Sequence, residues 1–493
     1  MMPVTEPSRS RLNPYWNSTQ SSLNTRSFAW KHWNNNHLTA LRFLSTRGSA
    51  PPLNFTDAFA AGLAPDGGLY VPERLPSIQG LLDKGPTRYP ELAAEFFQLF
   101  DDDHSAEQLN ELFEKSYSSF EDPGNAAPLI ELTDDTYVLE LFHGPTFAFK
   151  DFGLQLVGNM FEEQIARTGK AINVLGATSG DTGSAAIHGL ADKEGARVFV
   201  LYPEGRISDI QERQMTCTGS GNIFPIAIEG SFDDAQRIVK DLFEDLNFKD
   251  RARLSAVNSI NLARILAQCI YYIHAYKQLP DRNKEHVRYV VPTGNFGNVL
   301  AGWLASQMGL PAEEFTVATN QNDLLFRLFT EGIYEPRTVN PSLAPSMDIQ
   351  VASNFERFLY YHLGGEGQST SGIMKEIKKR NKVIIPEFNA GEFSTTRTDD
   401  EGIIENIRKA KDRFNYVPDP HTACCFNEVV NNQTTIMLAT AHPAKFPETI
   451  TEAINDSPTH PSLEKLRERT PKKEKLPANT DAIREYLEEN ILQ

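Results

Sequence analysis

Cysteine is scarce in this 493-residue chain: Cys217, Cys269, Cys424 and Cys425 are the whole supply. No CxxC pair and no Cys/His ligand spacing occurs, and adjacent Cys424 and Cys425 are poor partners for each other. That excludes a disulfide framework and a zinc module, and it predicts free, mostly buried thiols in a reducing compartment. Long hydrophobic runs are missing too; nothing approaches the roughly 18 apolar residues that span a bilayer. A basic surplus is also absent. The formal net charge of -17 excludes broad attraction to nucleic acid or to an anionic membrane, so an anionic ligand needs a local basic pocket. No Gly-Lys-Ser/Thr phosphate loop follows a strand, and no GxGxxG with a downstream acid sits in a strand–helix–strand unit. There are no internal repeats.

What remains is an ordinary globular mixture, 40% hydrophobic and 23% charged, long enough for two or three domains. The first forty residues stand apart: rich in Ser, Asn and Arg, with one acid, Glu6, and no apolar core segment. This is the composition of an organellar transit peptide, with a disordered extension or a misassigned start as the alternatives. Folded structure is expected from about Leu41, with helices over 55–63, 91–99 and 107–120 and a turn at Pro65-Asp66-Gly67-Gly68.

From Tyr137 the rhythm changes to short apolar runs alternating with helical patterns. Strands are expected at 138–141, 172–175, 198–201, 289–291 and 435–440, and helices at 154–165, from 182, at 210–215 and at 299–308. Such alternation argues for parallel α/β layers, in which ligands gather where strand ends meet helix N-termini. Two glycine turns, 176–183 and 293–298, fall on that kind of edge. The charged stretch 465–475, broken by Pro471, reads as solvated surface.

Four stretches carry chemistry. In His143-Gly144-Pro145-Thr146-Phe147-Ala148-Phe149-Lys150-Asp151, the lysine has apolar neighbours; desolvation disfavours its ammonium and makes the amine a nucleophile for an aldehyde. A lysine snorkelling past aromatics at a helix start is the simpler alternative. Gly176-Ala177-Thr178-Ser179-Gly180-Asp181-Thr182-Gly183-Ser184 brings amides and hydroxyls to a helix N-terminus, which favours an anion; otherwise it is a capped turn with Asp181 or Thr182 as N-cap. Pro292-Thr293-Gly294-Asn295-Phe296-Gly297-Asn298 lets several amides wrap a phosphate without a lysine, or is a plain α/β turn. Thr440-Ala441-His442-Pro443-Ala444-Lys445-Phe446 ends a strand with a hydroxyl and a cation; His442 reads best as a buried histidine satisfied by backbone.

In this order the four closely resemble threonine synthase. The resemblance also takes in Ser45-Thr46-Arg47-Gly48, residues 65–72, Tyr202-Pro203, Asn258-Ser259-Ile260-Asn261, Ala318-Thr319-Asn320, Ser346-Met347-Asp348-Ile349 and Pro420-His421, covering about 41–450. It implies an α/β protein of the two-domain tryptophan-synthase-β-like group (PLP fold type II) with an N-terminal extension region. The implied division is a leader over 1–40, an N-terminal region over 41–135, a catalytic core over 136–450 with a smaller subdomain at about 155–285, and a C-terminal tail and helix over 451–493.

The implied cofactor is pyridoxal 5′-phosphate on Lys150 as a Schiff base. Its phosphate would be held at Gly294, Asn295, Phe296, Gly297 and Asn298, and its pyridine nitrogen would face Thr440. Many bacterial and fungal members end this turn in Asp where this chain has Asn298, which removes a charge and adds a donor. The implied reaction turns O-phosphohomoserine and water into threonine and phosphate, with freed Lys150 moving protons at Cα and Cβ. Ser179, Asp181 and Thr182 are candidates for substrate contacts, and Arg47, Arg206 and Lys445 for its phosphate. No metal, nucleic acid or membrane partner is expected, and the chain is expected as a monomer or homodimer in the cytoplasm or, with a cleaved leader, in an organelle. The rivals are a phospho-lyase releasing 2-oxobutyrate, a serine or threonine dehydratase, and a non-catalytic small-molecule binder.

Overall fold

A computed structural model describes residues 40–256, 259–385, 388–428 and 433–492. The leader expected over 1–40 therefore lies, but for its last residue, outside the described residues, as does Asn258.

Two sheets organise the chain from Leu41 onward. The larger has strand order Phe393–Arg397, Glu314–Thr319, Arg288–Pro292, Thr435–Ala439, Thr136–Glu140 and Leu129–Thr133. All neighbours are parallel except the final pair, Leu129–Thr133 against Thr136–Glu140. Arg288–Pro292 and Thr435–Ala439 are buried at every position, as central parallel strands covered on both faces must be. That is why they read as continuous apolar runs in the sequence.

The smaller sheet is wholly parallel: Glu474–Pro477, Ile223–Glu229, Ala196–Pro203, Ile172–Ala177 and Leu254–Ser255. Its composition adds to two expectations. The charged stretch is exposed through most of its length, but its end, Glu474–Pro477, pairs with Ile223–Glu229 as an edge strand. Helix Thr480–Asn490 then buries Ile483 and Leu487 in this sheet's core, so the C-terminus completes the smaller layer rather than trailing from it. Backbone pairing at an edge tolerates charged side chains, so composition hides such a strand.

The N-terminal helices Phe55–Ala61, Tyr89–Phe97 and Ala106–Tyr117 supply aromatic packing. Rings of Tyr89, Tyr117 and Phe120 close on Phe152 with centroids 5.3, 6.0 and 4.9 Å away, and Tyr271 adds a fourth at 5.4 Å. Phe152 lies two residues past Lys150 on helix Lys150–Thr168, so this region braces the helix that presents the lysine. That helix meets helix Asp181–Leu190 backbone to backbone: a Cβ on Gly158 would overlap the Gly189 carbonyl. The two motif-bearing helices are thus fixed to each other by the absence of side chains.

Candidate functional site

Lys150 is the first residue of its helix, starting four residues before the expected boundary at 154. Its strand-side neighbours are zipped to the chain leaving Thr435–Ala439: the Phe149 amide donates to Thr440 O at 2.9 Å, and the His442 amide to Phe147 O at 3.1 Å. Phe147 takes φ 57°, an uncommon region for a non-glycine residue, and this strained turn aims the segment inward. The residue before Lys150 is thereby paired with Thr440, far along the sequence.

The Lys150 amine reaches Ser346 Oγ at 3.2 Å and Asp181 Oδ2 at 3.6 Å. Ser346 Oγ donates to Asp181 Oδ2 at 3.1 Å, and Gln211 Nε2 donates to Asp181 Oδ1 at 3.0 Å. Lys445, fully buried, places Nζ 2.7 Å from Asp181 Oδ1 and 2.9 Å from Thr146 O. One buried carboxylate therefore lies between two lysines. Burial disfavours the charge on Asp181, but Lys445 and Lys150 outweigh it and hold the carboxyl well below its usual range. Burial pushes the Lys150 ammonium below its usual value; Asp181 opposes this, while Lys445 and Arg264 reinforce it.

Ser346 is itself positioned. Its amide donates to His421 Nε2 at 3.1 Å, which leaves the ring proton on Nδ1, 2.7 Å from Asp419 Oδ1. Asp419 also accepts from the Thr422 hydroxyl, and that hydroxyl takes the Thr440 amide at 3.1 Å. Asp151, next to Lys150, accepts from the Thr146 amide at 2.8 Å and the Thr146 hydroxyl at 2.7 Å; burial lifts its carboxyl to about 6.

The SGDTG turn is capped differently from either expectation. Thr178 Oγ1 takes the Gly180 and Gly183 amides at 3.0 and 2.8 Å, which frees the Asp181 carboxylate to face the lysines. Ser179 and Thr182 flank it, both partly exposed. At the second turn, Phe296 has φ 64° and no side chain caps helix Gly297–Gln307. Among the described residues, the amides of Gly297, Asn298 and Val299 find no backbone acceptor. A Cβ on Gly294 would lie 3.0 Å from Ser346 O, so this turn abuts the residue that touches the Lys150 amine. Asn298 Oδ1 accepts from the hydroxyls of Tyr271 at 2.6 Å and Tyr272 at 2.9 Å, while its Nδ2, the donor an aspartate would lack, is buried without a hydrogen-bond partner among the described residues.

The cations singled out for an anion are mostly engaged elsewhere. Arg47 is bidentate to Glu356, both contacts 3.0 Å, and Lys445 is committed to Asp181. Arg206 is exposed on the loop leaving Ala196–Pro203. His442 behaves as a satisfied histidine: Nδ1 accepts the Ala444 amide at 3.1 Å, and burial lowers its pKa to about 4. All four cysteines are free and buried. The sequence reading gave no role to Ser346, His421, Asp419, Thr146 or Gln211. Ser208 and Gln211 form a capping box at the start of helix Asp209–Thr216, but nothing local in the sequence reveals that the glutamine turns towards Asp181.

Comparison with known proteins identifies the family. The family model for the threonine synthase N terminus matches residues 42–117, that for pyridoxal-phosphate-dependent enzymes matches 126–379, and that for the threonine synthase C-terminal region matches 422–487. A threonine synthase from Pseudomonas aeruginosa is 41% identical, over 91% of this chain and 98% of its own length. One from Schizosaccharomyces pombe is 40% identical over 84% and 89%. The crystal structure of pyridoxal-phosphate-bound threonine synthase from Brucella melitensis superposes with a TM-score of 0.86 at 38% identity, covering 92% of this chain and 100% of that one. The yeast threonine synthase structure gives 0.85 at 37% identity, covering 91% and 98%. This chain belongs to the threonine synthase family of pyridoxal-phosphate-dependent enzymes.

Proposed function

We propose that the chain converts O-phosphohomoserine and water to L-threonine and phosphate, with pyridoxal 5′-phosphate held covalently by Lys150. The carrying observation is the desolvated Lys150 amine, 3.2 Å from Ser346 Oγ, beside a glycine turn whose leading amides are open. The residues present fit the cofactor: an amine for its aldehyde, Gly294 to Asn298 for its phosphate, and the neutral hydroxyl of Thr440 for its ring nitrogen. When bound, the cofactor supplies the electron sink that lets bonds at Cα and Cβ of an amino acid ionise.

Lys150, once displaced by the substrate amine, is placed to carry protons at Cα and Cβ, since burial lowers its pKa and so favours the neutral form that accepts one. Asp181 serves as an anchor: with Lys445 and Gln211 it holds Ser346 against the Lys150 amine, and as a buried anion it is unsuited to meet the substrate carboxylate. Ser179 and Thr182 remain the substrate contacts we assign on that loop. Of the three proposed phosphate ligands, Arg206 is the one whose side chain is exposed, while Arg47 and Lys445 act through Glu356 and Asp181. We further infer that the protein works in the cytoplasm, or in an organelle where the Arg/Ser-rich leader acts as a transit peptide, and that the chain works as a monomer or homodimer.

The test is product analysis of purified protein given O-phosphohomoserine. Threonine and phosphate in equal amounts support the proposal; 2-oxobutyrate and ammonia as the main products overturn it in favour of a lyase.

A further inference from the structure

Beneath the glycine turn lies a hydrogen-bonded set of side chains built around a buried asparagine and arginine. Asn354 is fully buried and donates twice to the Asn295 carbonyl, from its backbone amide at 3.1 Å and from Nδ2 at 3.3 Å. Its Nδ2 also donates to Ser259 O at 3.0 Å. The other end of this amide is fixed by Arg357, among the most buried large side chains of the protein. Arg357 Nη1 donates to Asn354 Oδ1 at 2.6 Å, Nε to Tyr70 O at 3.0 Å and Nη2 to Ile260 O at 2.6 Å. The Asn295 side chain is held as well: Ser353 Oγ donates to its Oδ1 at 3.1 Å and shares a hydrogen bond with Ser259 Oγ at 2.9 Å.

The direction of these bonds matters. A peptide carbonyl and the next amide point to opposite sides of the chain, so two donors on the Asn295 carbonyl fix the orientation of the following N–H, that of Phe296. They also hold Phe296 at φ 64°, the left-handed conformation that turns the leading amides of the next helix into one concave face. A guanidinium with three fixed acceptors orients the Asn354 amide rigidly: Oδ1 faces Arg357, so Nδ2 must face Asn295.

We propose that Asn354, oriented by Arg357, is a positioning residue for the cofactor phosphate: it sets the peptide orientation at Asn295 and Phe296 so that the turn's amides converge. This rests on the reading of Gly294 to Asn298 as the phosphate cup. Through Tyr70 and Ile260 the same guanidinium ties the cup to the N-terminal region and to the loop before helix Leu262–Gln278.

The test compares binding of pyridoxal 5′-phosphate with that of pyridoxal, which has the aldehyde but no phosphate, to the full-length apoprotein by absorbance titration. The wild type is expected to prefer the phosphorylated form by at least about a hundredfold. Asn354→Asp keeps the size and the Arg357 contact but places an acceptor against the Asn295 and Ser259 carbonyls. It is expected to weaken pyridoxal 5′-phosphate binding about tenfold and to leave pyridoxal binding within about twofold. Ser353→Ala, a milder variant for the event that Asn354→Asp does not fold, is expected to show the same selective loss at about threefold. Equal weakening of both ligands, or weakening of neither, overturns the proposal. A wild type that fails to discriminate the two ligands overturns the cup itself, a result distinct from failure of the Asn354 assignment.

Discussion

Removing the Lys445 ammonium isolates the electrostatic idea at the centre of the site. Lys445→Met keeps a flexible chain of similar length and deletes a charge 2.7 Å from Asp181 Oδ1. Breaking one side of a buried ion pair costs about 3–5 kcal/mol. Asp181 would still have Lys150 at 3.6 Å and donors from Ser346 and Gln211, so the lower end, about 3 kcal/mol, is expected. Asp181→Asn is expected to cost more, about 4–5 kcal/mol, because Lys445 keeps only the Thr146 carbonyl and Lys150 loses its anion. In the double variant the Lys445–Asp181 pair leaves no charge of its own behind, although Lys150 still lacks its anion, so the combined loss should fall short of the sum by at least about 2 kcal/mol. Urea unfolding of the apoproteins, followed by fluorescence and circular dichroism, reads the cycle. A second readout is independent of stability: Lys445 helps depress the Lys150 amine, so Lys445→Met should move the pH midpoint for cofactor capture upward. Strictly additive losses with an unmoved midpoint would refute the reasoning.

Two further outcomes follow from single residues. Burial lifts Asp151 to about 6 from an ordinary 3.8, so its contribution to stability is complete below 3.8 and is lost as pH rises through 6. The stability advantage of wild type over Asp151→Asn should therefore shrink by up to about 3 kcal/mol between about pH 4 and about pH 7, measured by urea unfolding across that range. Arg47→Ala breaks the bidentate contact with Glu356 and should cost about 1–2 kcal/mol of stability while leaving the substrate KM within about twofold; a KM raised tenfold at unchanged stability would return Arg47 to the substrate phosphate.

The parts of the fold legible in the sequence were those with local causes. Tyr289, Val290 and Val291 announce a central strand because both faces are covered, and the glycines at 294 and 297 punctuate its end. Glu474–Pro477 was hidden because its place in the smaller sheet depends on a partner strand about 250 residues earlier, and its charged side chains point to solvent. The same distinction holds at the site. Lys150 and its apolar neighbours, the SGDTG turn and the GNFG turn could be read in place. Ser346 could not, since its contact with Lys150 spans 196 residues. Lys445 shows the limit most clearly: a lysine after a strand invites an incoming anion, yet here a carboxylate from the other sheet's helix takes it first.

Borohydride reduction of the holoenzyme, followed by digestion and mass spectrometry of the labelled peptide, tests the central claim most directly. The cofactor should be fixed on Lys150 within the segment that begins at His143, and Lys150→Ala should show neither the label nor the visible absorbance band. A label on Lys445 or any other lysine, with Lys150 unmodified, would contradict the account.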